Sequence, residues 1–331
     1  MVAADRIHDL LCIIIDTNVL AWHESAQSSE SGDRLSLSEA LETLLVFLNA
    51  HLALRDQNEL LVYGAGPGHS EMIYSSFDDQ GESSADHASE TNERYASTFP
   101  RFRQVDTQVS KAVGQMMREL EPDTDAPPAI VSALARTLCH INRISREETK
   151  HTIKPRVLLL SVSHDSSSQY IPLMNCIFSA QKANVPIDVC KIYGDDAVFL
   201  QQAAYLSSGI YYKLEKRAGL LQYLMMTFLP GVTSRKLLNL PSQDAVDLRA
   251  ACFCHQRIVD IGFVCSVCLS IFCTPRPSCL TCRTKFPLST LKRLGFGPAK
   301  GNAPLKRKRP DGANGTTSPA TPAPNTPTVA I

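Results

Sequence analysis

The sequence has no excess charge of either sign, because 33 lysine and arginine residues balance 33 aspartate and glutamate residues. The overall charge balance therefore says nothing about binding to nucleic acid, whereas the uneven distribution of the charges along the chain does. It also lacks the roughly 20 consecutive apolar residues that cross a bilayer, since the best stretch, residues 220–229, is too short and contains polar side chains. No basic segment followed by an apolar run and a cleavage site opens the sequence, so we expect neither secretion nor a membrane partner.

Cysteine is plentiful but unevenly placed. Seven of the 11 cysteines lie between residues 252 and 282. The other four are scattered among apolar neighbours and are predicted to be buried free thiols; they are Cys12, Cys139, Cys176 and Cys190. A disulfide framework would spread its cysteines through a small secreted domain, whereas a cluster at one end of an intracellular chain is typical of metal binding. We therefore expect a reducing compartment.

Short apolar runs alternate with amphipathic segments along residues 8–240. Leu11–Ile15 is a β-rich run that ends at Asp16, as expected of a strand buried on both faces. The predicted strands are 11–15, 60–63, 72–74, 157–162, 187–193 and 210–214, with 60–63 and 72–74 forming a hairpin around the glycine-rich residues 64–68. The predicted helices are 38–54, 108–120, 128–144, 170–183, 197–206 and 218–229. This alternation predicts an α/β fold of Rossmann type, a mostly parallel sheet with helices on both faces.

Two segments are predicted to lie outside any packed core. Residues 78–94 are rich in serine, and 78–93 carry six acidic and no basic side chains, so we predict a disordered insertion. Residues 288–331 are rich in proline, threonine and basic side chains and are predicted to be a disordered basic tail. Within it, Leu305–Pro310 resembles a nuclear import signal, which favours the nucleus modestly because such runs also arise by chance.

Two CxxC pairs, Cys265 with Cys268 and Cys279 with Cys282, are separated by ten residues. Zinc is held by four ligands in a tetrahedron, and each pair presents two thiolates to a single ion. Four protein ligands leave no position for water, so the predicted site is structural and not catalytic. We therefore predict a C4-type zinc module over residues 250–287, in which zinc supplies folding free energy that a segment of this size hardly obtains from apolar burial.

Four further residues lie beside these pairs, Cys252, Cys254, His255 and Cys273. Together they could ligate a second zinc interleaved with the first. Alternatively they are buried small side chains, or one of them replaces a ligand named above. A CxCH arrangement is a poorer bidentate unit than CxxC, so we predict one zinc per chain. A β-hairpin of residues 257–261 and 262–264 is expected to lead into the first CxxC pair.

Asp16 follows the first strand, at the edge where open α/β sheets bind ligands. A von Willebrand A-type adhesion site begins with Asp-x-Ser-x-Ser, but Asn18 and Leu20 stand at the serine positions, and leucine cannot ligate a cation. The same run also resembles the start of a PIN-type nuclease, which needs several converging carboxylates. The candidates for those carboxylates are Asp165, Asp195, Asp196, Glu42 and Glu59. The third interpretation, which we favour, is that Asp16 caps the following turn.

Three cysteine-containing segments carry a resemblance to a known family: 251–255, 261–273 and 279–282. Asp16–Asn18, Asp195–Ala197 and Gly209–Tyr211 add to it. Together, over about residues 8–287, they resemble the small von Willebrand A-type, zinc-finger-bearing subunit of the TFIIH core. The acidic insertion and the basic tail fall outside this resemblance.

The resemblance implies a nuclear, non-catalytic structural subunit that acts in nucleotide excision repair and in transcription initiation by RNA polymerase II. It implies the larger RING-bearing A-domain subunit as the chief partner, with DNA contacted indirectly through the complex and no small-molecule substrate. It also implies a four-cysteine zinc module, which maps onto Cys265, Cys268, Cys279 and Cys282. The alternatives are a PIN-type metal-dependent nuclease using Asp16 and a nucleic-acid-binding zinc module, the latter supported by seven basic residues after position 287.

Overall fold

A computed structural model describes residues 7–27, 34–77, 99–119, 127–147, 152–241, 246–255, 257–287 and 289. The predicted acidic insertion at 78–94 and, apart from residue 289, the predicted basic tail at 288–331 lie outside these residues. The chain divides into two compact units, Met1–Thr274 and Pro275–Ile331. The boundaries proposed from the sequence, 8–240 and 250–287, remain predictions.

The first unit is built on a six-stranded sheet with the strand order β3-β2-β1-β4-β5-β6. The strands are β1 (Ile7–Asp16), β2 (Glu59–Gly66), β3 (His69–Ser75), β4 (Thr152–Ser161), β5 (Ile187–Lys191) and β6 (Tyr211–Lys213). Neighbouring strands run parallel except at the β3 edge, where β2 and β3 are antiparallel. The predicted mostly parallel sheet is thus confirmed, and it puts the carboxyl ends of five strands along one edge.

Helices cover both faces of this sheet. One face is covered by α4 (Ile130–Glu147), α5 (Tyr170–Lys182) and α6 (Val198–Leu206). The other is covered by α1 (Val19–Gln27), α2 (Leu37–Leu54), α3 (Pro100–Glu119) and α7 (Leu220–Tyr223), which continues as a π-helical turn at Leu224–Phe228. Alternate residues of β1 point to opposite faces, with Cys12 in one apolar cluster and Ile13 in the other. The fold is von Willebrand A-like.

Helix α2 has the length and composition of a membrane-spanning helix, a feature that the sequence analysis did not single out. In the structure it packs on the sheet through six buried side chains, Ala40, Leu44, Phe47, Leu48, His51 and Leu52. A capping box starts it, since the Glu39 N–H donates to Ser36 Oγ and the Ser36 N–H donates to Glu39 Oε2. It is a core helix of the sheet domain.

Several boundaries differ from the sequence-based predictions. The glycine-rich residues at 64–66 belong to β2 and not to a turn, because Gly64 packs against the Met116 thioether of α3, where a Cβ would lie 2.4 Å from Sδ. The turn lies at Pro67–Gly68, with Gly68 at φ 66°. Helix α1 was missed, and α3 starts eight residues earlier than predicted, at Pro100, where the first helical turn tolerates proline.

The scattered cysteines follow the prediction in part. Cys12 and Cys190 are buried, whereas Cys139 of α4 is exposed and Cys176 of α5 is partly exposed, at the border of the core. The predicted hairpin of residues 257–261 and 262–264 is wrong. Instead, β7 (Phe263–Val264) pairs with β8 (Ile271–Phe272), and Ile258 forms a bridge with Ala251.

Candidate metal centres and the carboxyl edge of the sheet

The two CxxC segments have the same local backbone. The Cys265 N–H donates to the Ser270 carbonyl at 2.9 Å, five residues on, and the Leu269 N–H donates back to the Cys265 carbonyl. The Cys279 N–H likewise donates to the Thr284 carbonyl at 2.9 Å, and the Arg283 N–H donates to the Cys279 carbonyl. Leu269 and Arg283 both have positive φ, 60° and 59°. Each segment is thus a tight knuckle that turns two thiols in one direction.

The first cysteine of each knuckle, Cys265 or Cys279, is buried, and the second, Cys268 or Cys282, is partly exposed. The second thiol lies 3.1 Å from a hydroxyl oxygen two residues on, that of Ser270 or Thr284. Cys265 and Cys268 lie in the first unit, and Cys279 and Cys282 lie in the second. Four thiols are a donor set that suits zinc.

Within the first unit, one group of described residues could hold a metal ion: Cys252, Cys254, His255 and Cys273. Their ligand atoms all lie within 4.8 Å of one another. Cys252 is buried, Cys254 and Cys273 are partly exposed and His255 is exposed. The structure therefore brings together the four residues whose role the sequence left open.

At the carboxyl edge of the sheet, the Asp16 side chain is completely buried and occupied by backbone donors. One carboxylate oxygen accepts from the N–H groups of Val162 and Ser163, at 3.0 and 2.8 Å. The other accepts from the Asn18 N–H at 3.2 Å, which is the turn-capping role that we favoured. Burial raises the pKa of Asp16, and the hydrogen bonds from Ser163, Val162 and Asn18 oppose this rise.

The remaining positions of the adhesion-site pattern serve the start of α1. Asn18 donates from Nδ2 to Ser163 Oγ at 3.0 Å and accepts from the Leu20 N–H at 3.2 Å. Leu20 itself is 67% exposed. Leucine offers no ligand atom, and the Asn18 amide takes part in hydrogen bonds within the chain. The degenerate adhesion site stays a prediction from the sequence.

Lys191 lies behind this edge, at the end of β5, and sequence reasoning missed it. Its side chain is fully buried, and Nζ donates to the Ser163 carbonyl oxygen. Burial lowers the pKa of Lys191, while the negative charges of Asp16 and Asp165 oppose this effect. A lysine that ends the apolar run Ile187–Cys190 was the available signal. The positive charge that faces Asp16 thus comes from the chain itself.

The other carboxylates considered for a nuclease are engaged elsewhere. Asp165 accepts from the Phe199 N–H at the start of α6, and Asp196 accepts from the Tyr211 hydroxyl. Asp195 and Glu42 are exposed, and Glu59 pairs with Arg101 at the amino end of β2. Among the described residues of the first unit, the group that could hold a metal ion contains no carboxylate. The geometry gives no support to a two-metal or single-metal nuclease centre at Asp16.

Comparison with known proteins agrees with this picture. A relative from Schizosaccharomyces pombe, general transcription and DNA repair factor IIH subunit tfb4, is 41% identical over 86% of this chain and 91% of its own length. The Arabidopsis thaliana protein named general transcription and DNA repair factor IIH subunit TFB4 is 34% identical over 91% of this chain and 95% of its own.

Among solved structures, the TFIIH p34 N-terminal domain superposes with a TM-score of 0.54 at 31% identity, covering 66% of this chain and 96% of that domain. The family described as Transcription factor Tfb4 matches residues 8–283, which include the whole sheet and both cysteine groups. This chain belongs to the Tfb4 family of transcription factors.

Proposed function

We propose that the chain is a non-catalytic structural subunit of the TFIIH core, acting in nucleotide excision repair and in transcription initiation by RNA polymerase II. The observation that carries the proposal is the family match over residues 8–283, with relatives named as subunits of the general transcription and DNA repair factor IIH. A nuclear location follows from this assignment.

The contacts of Asp16 at the carboxyl edge of the sheet support a scaffold role. The carboxylate of Asp16 accepts hydrogen bonds from three backbone N–H groups, and the nearby charge of Lys191 favours its ionised form. These contacts favour a structural role for Asp16 over a role as a metal ligand or general base. An incubation of the purified chain with single- and double-stranded DNA in Mn²⁺ tests this point directly. We expect no cleavage, and cleavage that is lost on Asp16→Ala would revive the nuclease alternative.

We further propose that the chief partner is the larger, RING-bearing A-domain subunit of TFIIH, and that DNA is contacted indirectly through the complex. A rigid sheet that needs no metal to hold its edge can offer a constant surface to a partner, and a stable interface buries about 1,600 Å² in total. Co-expression of the tagged chain with that subunit should give a one-to-one complex on size exclusion. Recovery of the chain alone at physiological salt would contradict the pairing.

We propose that Cys265, Cys268, Cys279 and Cys282 bind one structural zinc. The support is the CxxC spacing of the two pairs, the matching backbone of the two knuckles and the all-thiol donor set, which suits tetrahedral zinc and leaves no position for water. Cys282→Ser should lower the zinc content by one ion per chain, as measured by native mass spectrometry. Cys139→Ser, which removes an exposed cysteine outside both groups, is the matched control and should retain the wild-type content.

The nucleic-acid-binding alternative rests on the basic tail, which lies outside the described residues. Deletion of residues 288–331 provides its test. A salt-dependent affinity for DNA that disappears with the tail would establish direct binding. Under the scaffold proposal, the isolated chain binds DNA no better with the tail than without it.

A further inference from the structure

The group of Cys252, Cys254, His255 and Cys273 has the spacing of a metal site. The sulfur atoms of Cys254 and Cys273 lie 3.5 Å apart, and His255 Nδ1 lies 3.2 Å from the Cys273 sulfur. In a zinc tetrahedron with bond lengths of about 2.3 Å to sulfur and about 2.0 Å to nitrogen, the corresponding separations are about 3.8 and about 3.5 Å. A disulfide would need about 2.05 Å, so the two sulfurs are not bonded to each other.

The backbone around Cys252 repeats the knuckle of the CxxC segments. The Cys252 N–H donates to the Arg257 carbonyl at 2.9 Å, five residues on, as Cys265 and Cys279 do with their own partners. His255 stands three residues after Cys252, the position that the second cysteine occupies in each CxxC pair. The backbone of His255 also hydrogen bonds to the Cys252 thiol, as the Cys282 N–H does to Cys279 Sγ. Among the described residues, this segment thus shares two features with the CxxC knuckles: the hydrogen bond from the first cysteine to the carbonyl five residues on, and a ligand three residues after that cysteine.

The fourth residue, Cys273, is delivered by a different element. It directly follows β8, and the Phe253 N–H donates to the Ile271 carbonyl at 2.7 Å, which ties the first knuckle to that strand. The Cys252–His255 segment and Cys273 are therefore brought together by a backbone hydrogen bond that does not involve the proposed ligand side chains. The CxCH spacing in the sequence does not show that Cys273 lies next to this segment.

We propose that Cys252, Cys254, His255 and Cys273 bind a second zinc ion, separate from the four-cysteine site. Three thiolates and one imidazole are soft and borderline ligands that favour zinc in tetrahedral geometry. Four protein ligands leave no open position, so this ion is structural. The expectation of a single zinc is thereby replaced by two per chain.

This second ion lies where the cysteine-rich segment joins the sheet domain. Ala251, next to Cys252, is completely buried in the core that α4, α5 and α6 form with the sheet, and Ile258 packs against the same core. Gln202 of α6 donates to the carbonyl oxygens of Asp247 and Arg249, at 2.6 and 3.2 Å. Zinc bound here stiffens the exit of the chain from the sheet, a role distinct from that of the four-cysteine site.

Native mass spectrometry of the full chain tests the proposal. We expect two zinc ions in the wild type and in Cys139→Ser, one in Cys273→Ser, one in Cys282→Ser and none in the double variant. The two single variants separate this proposal from the four-cysteine site. A wild-type chain with one zinc that survives in Cys273→Ser would overturn the second site and leave the first intact.

A variant that exchanges one ligand for another provides a second test if Cys273→Ser fails to fold. His255→Cys should retain two metals, because a thiolate replaces the imidazole in the same knuckle position, whereas His255→Ala should lose one. With Co²⁺ in place of zinc, the visible ligand-field bands of His255→Cys should move toward those of an all-thiolate site. A spectrum identical to that of the wild type would show that His255 is not a ligand and would contradict the proposal.

Discussion

The buried ammonium group of Lys191 donates a hydrogen bond to the carbonyl oxygen of Ser163, whose N–H donates to the carboxylate of Asp16. Two opposite charges are thus joined through one peptide segment at the carboxyl edge of the sheet. Each charge has lost its water, and burial shifts both pKa values toward the neutral forms. Each buried charge is therefore stabilised by the presence of the other.

Replacement of Lys191 by methionine should destabilise the sheet domain by about 3–5 kcal/mol, because it leaves the Asp16 carboxylate buried without a balancing charge. The measurement is the urea midpoint of the zinc-loaded chain. Asp16→Asn combined with Lys191→Met should recover part of the loss, since neither charge then remains. Lys213→Met, which removes an exposed lysine on the neighbouring strand, is the control and should change the midpoint little. A wild-type midpoint for Lys191→Met would contradict the coupling.

Arg235 and Asp188 form a bidentate ion pair at the other end of the sheet. The two N–O distances are 2.8 and 2.6 Å, and the side chains are only 10% and 1% exposed. Arg235→Met should therefore cost about 3–5 kcal/mol in unfolding free energy, since the partner carboxylate stays buried. The unfolding free energy of Arg235→Lys should lie between those of Arg235→Met and the wild type, because one of the two parallel hydrogen bonds is lost.

The exposed arginine at position 249, which pairs with Asp247 and Asp260, provides a contrast. Arg249→Met should lower stability much less than Arg235→Met, because water screens its ion pairs. Equal losses of unfolding free energy in the two variants would show that burial is not the reason for the contribution of the Arg235 ion pair to stability. Chemical denaturation followed by circular dichroism measures both.

His51 should make stability fall as the pH drops below about 6.5. Burial, with a further contribution from the charge of Arg156, lowers the pKa of His51 from 6.5 to about 4. The unfolded chain therefore binds a proton at a pH where the folded chain does not, so acid favours unfolding. This single group should cost about 2 kcal/mol between pH 7.5 and 5, by the linkage relation.

Comparison of the wild type with His51→Gln isolates this effect from any acid-induced loss of metal, which is common to both proteins. Between pH 7.5 and 5, the unfolding free energy of His51→Gln should fall by about 2 kcal/mol less than that of the wild type. His69→Gln, which removes an exposed histidine of β3, should keep the wild-type dependence. Identical pH profiles for the wild type and His51→Gln would rule out the assigned role.

Gly209 lies against the backbone of β5. A Cβ at this position would lie 1.9 Å from the Ile187 carbonyl oxygen, so Gly209→Ala must displace either the turn after α6 or the strand itself. We expect a loss of about 3 kcal/mol or more in unfolding free energy. Gly114→Ala is the matched control on α3, where the nearest atom is 4.0 Å away, and it should stabilise the chain by about 0.5–1 kcal/mol. Thermal unfolding distinguishes the two.

The sheet could be predicted from the sequence because burial on both faces leaves an unmistakable pattern, as at Leu11–Ile15 and Val157–Leu160. The start of α1 could not, because Asn18 begins it through a side-chain cap and Val19 and Leu20 face outward. The burial and the hydrogen-bond partners of Lys191 and Arg156 could not be predicted from the sequence either. Both are basic residues in strands, and only the three-dimensional structure shows which carbonyl groups they reach.

Arg156 illustrates the point. Its buried guanidinium donates to the carbonyl oxygens of Leu229 and Pro230, at 3.0 and 3.1 Å, and to that of Phe228. These carbonyls lie at the end of the last helix and lack partners within it. The four-cysteine site stays a prediction, which rests on its regular spacing. Cys273 could not be assigned, since its neighbours in space are supplied by a strand pairing that the sequence analysis had placed elsewhere.

Because the cation opposite Asp16 is part of the polypeptide, a chelator cannot remove it and no change in cellular calcium or magnesium can dilute it. The carboxyl edge of this sheet therefore keeps its charge balance without a bound ion. If the proposed zinc sites are correct, chelation should affect the cysteine-rich segment and leave the sheet unchanged.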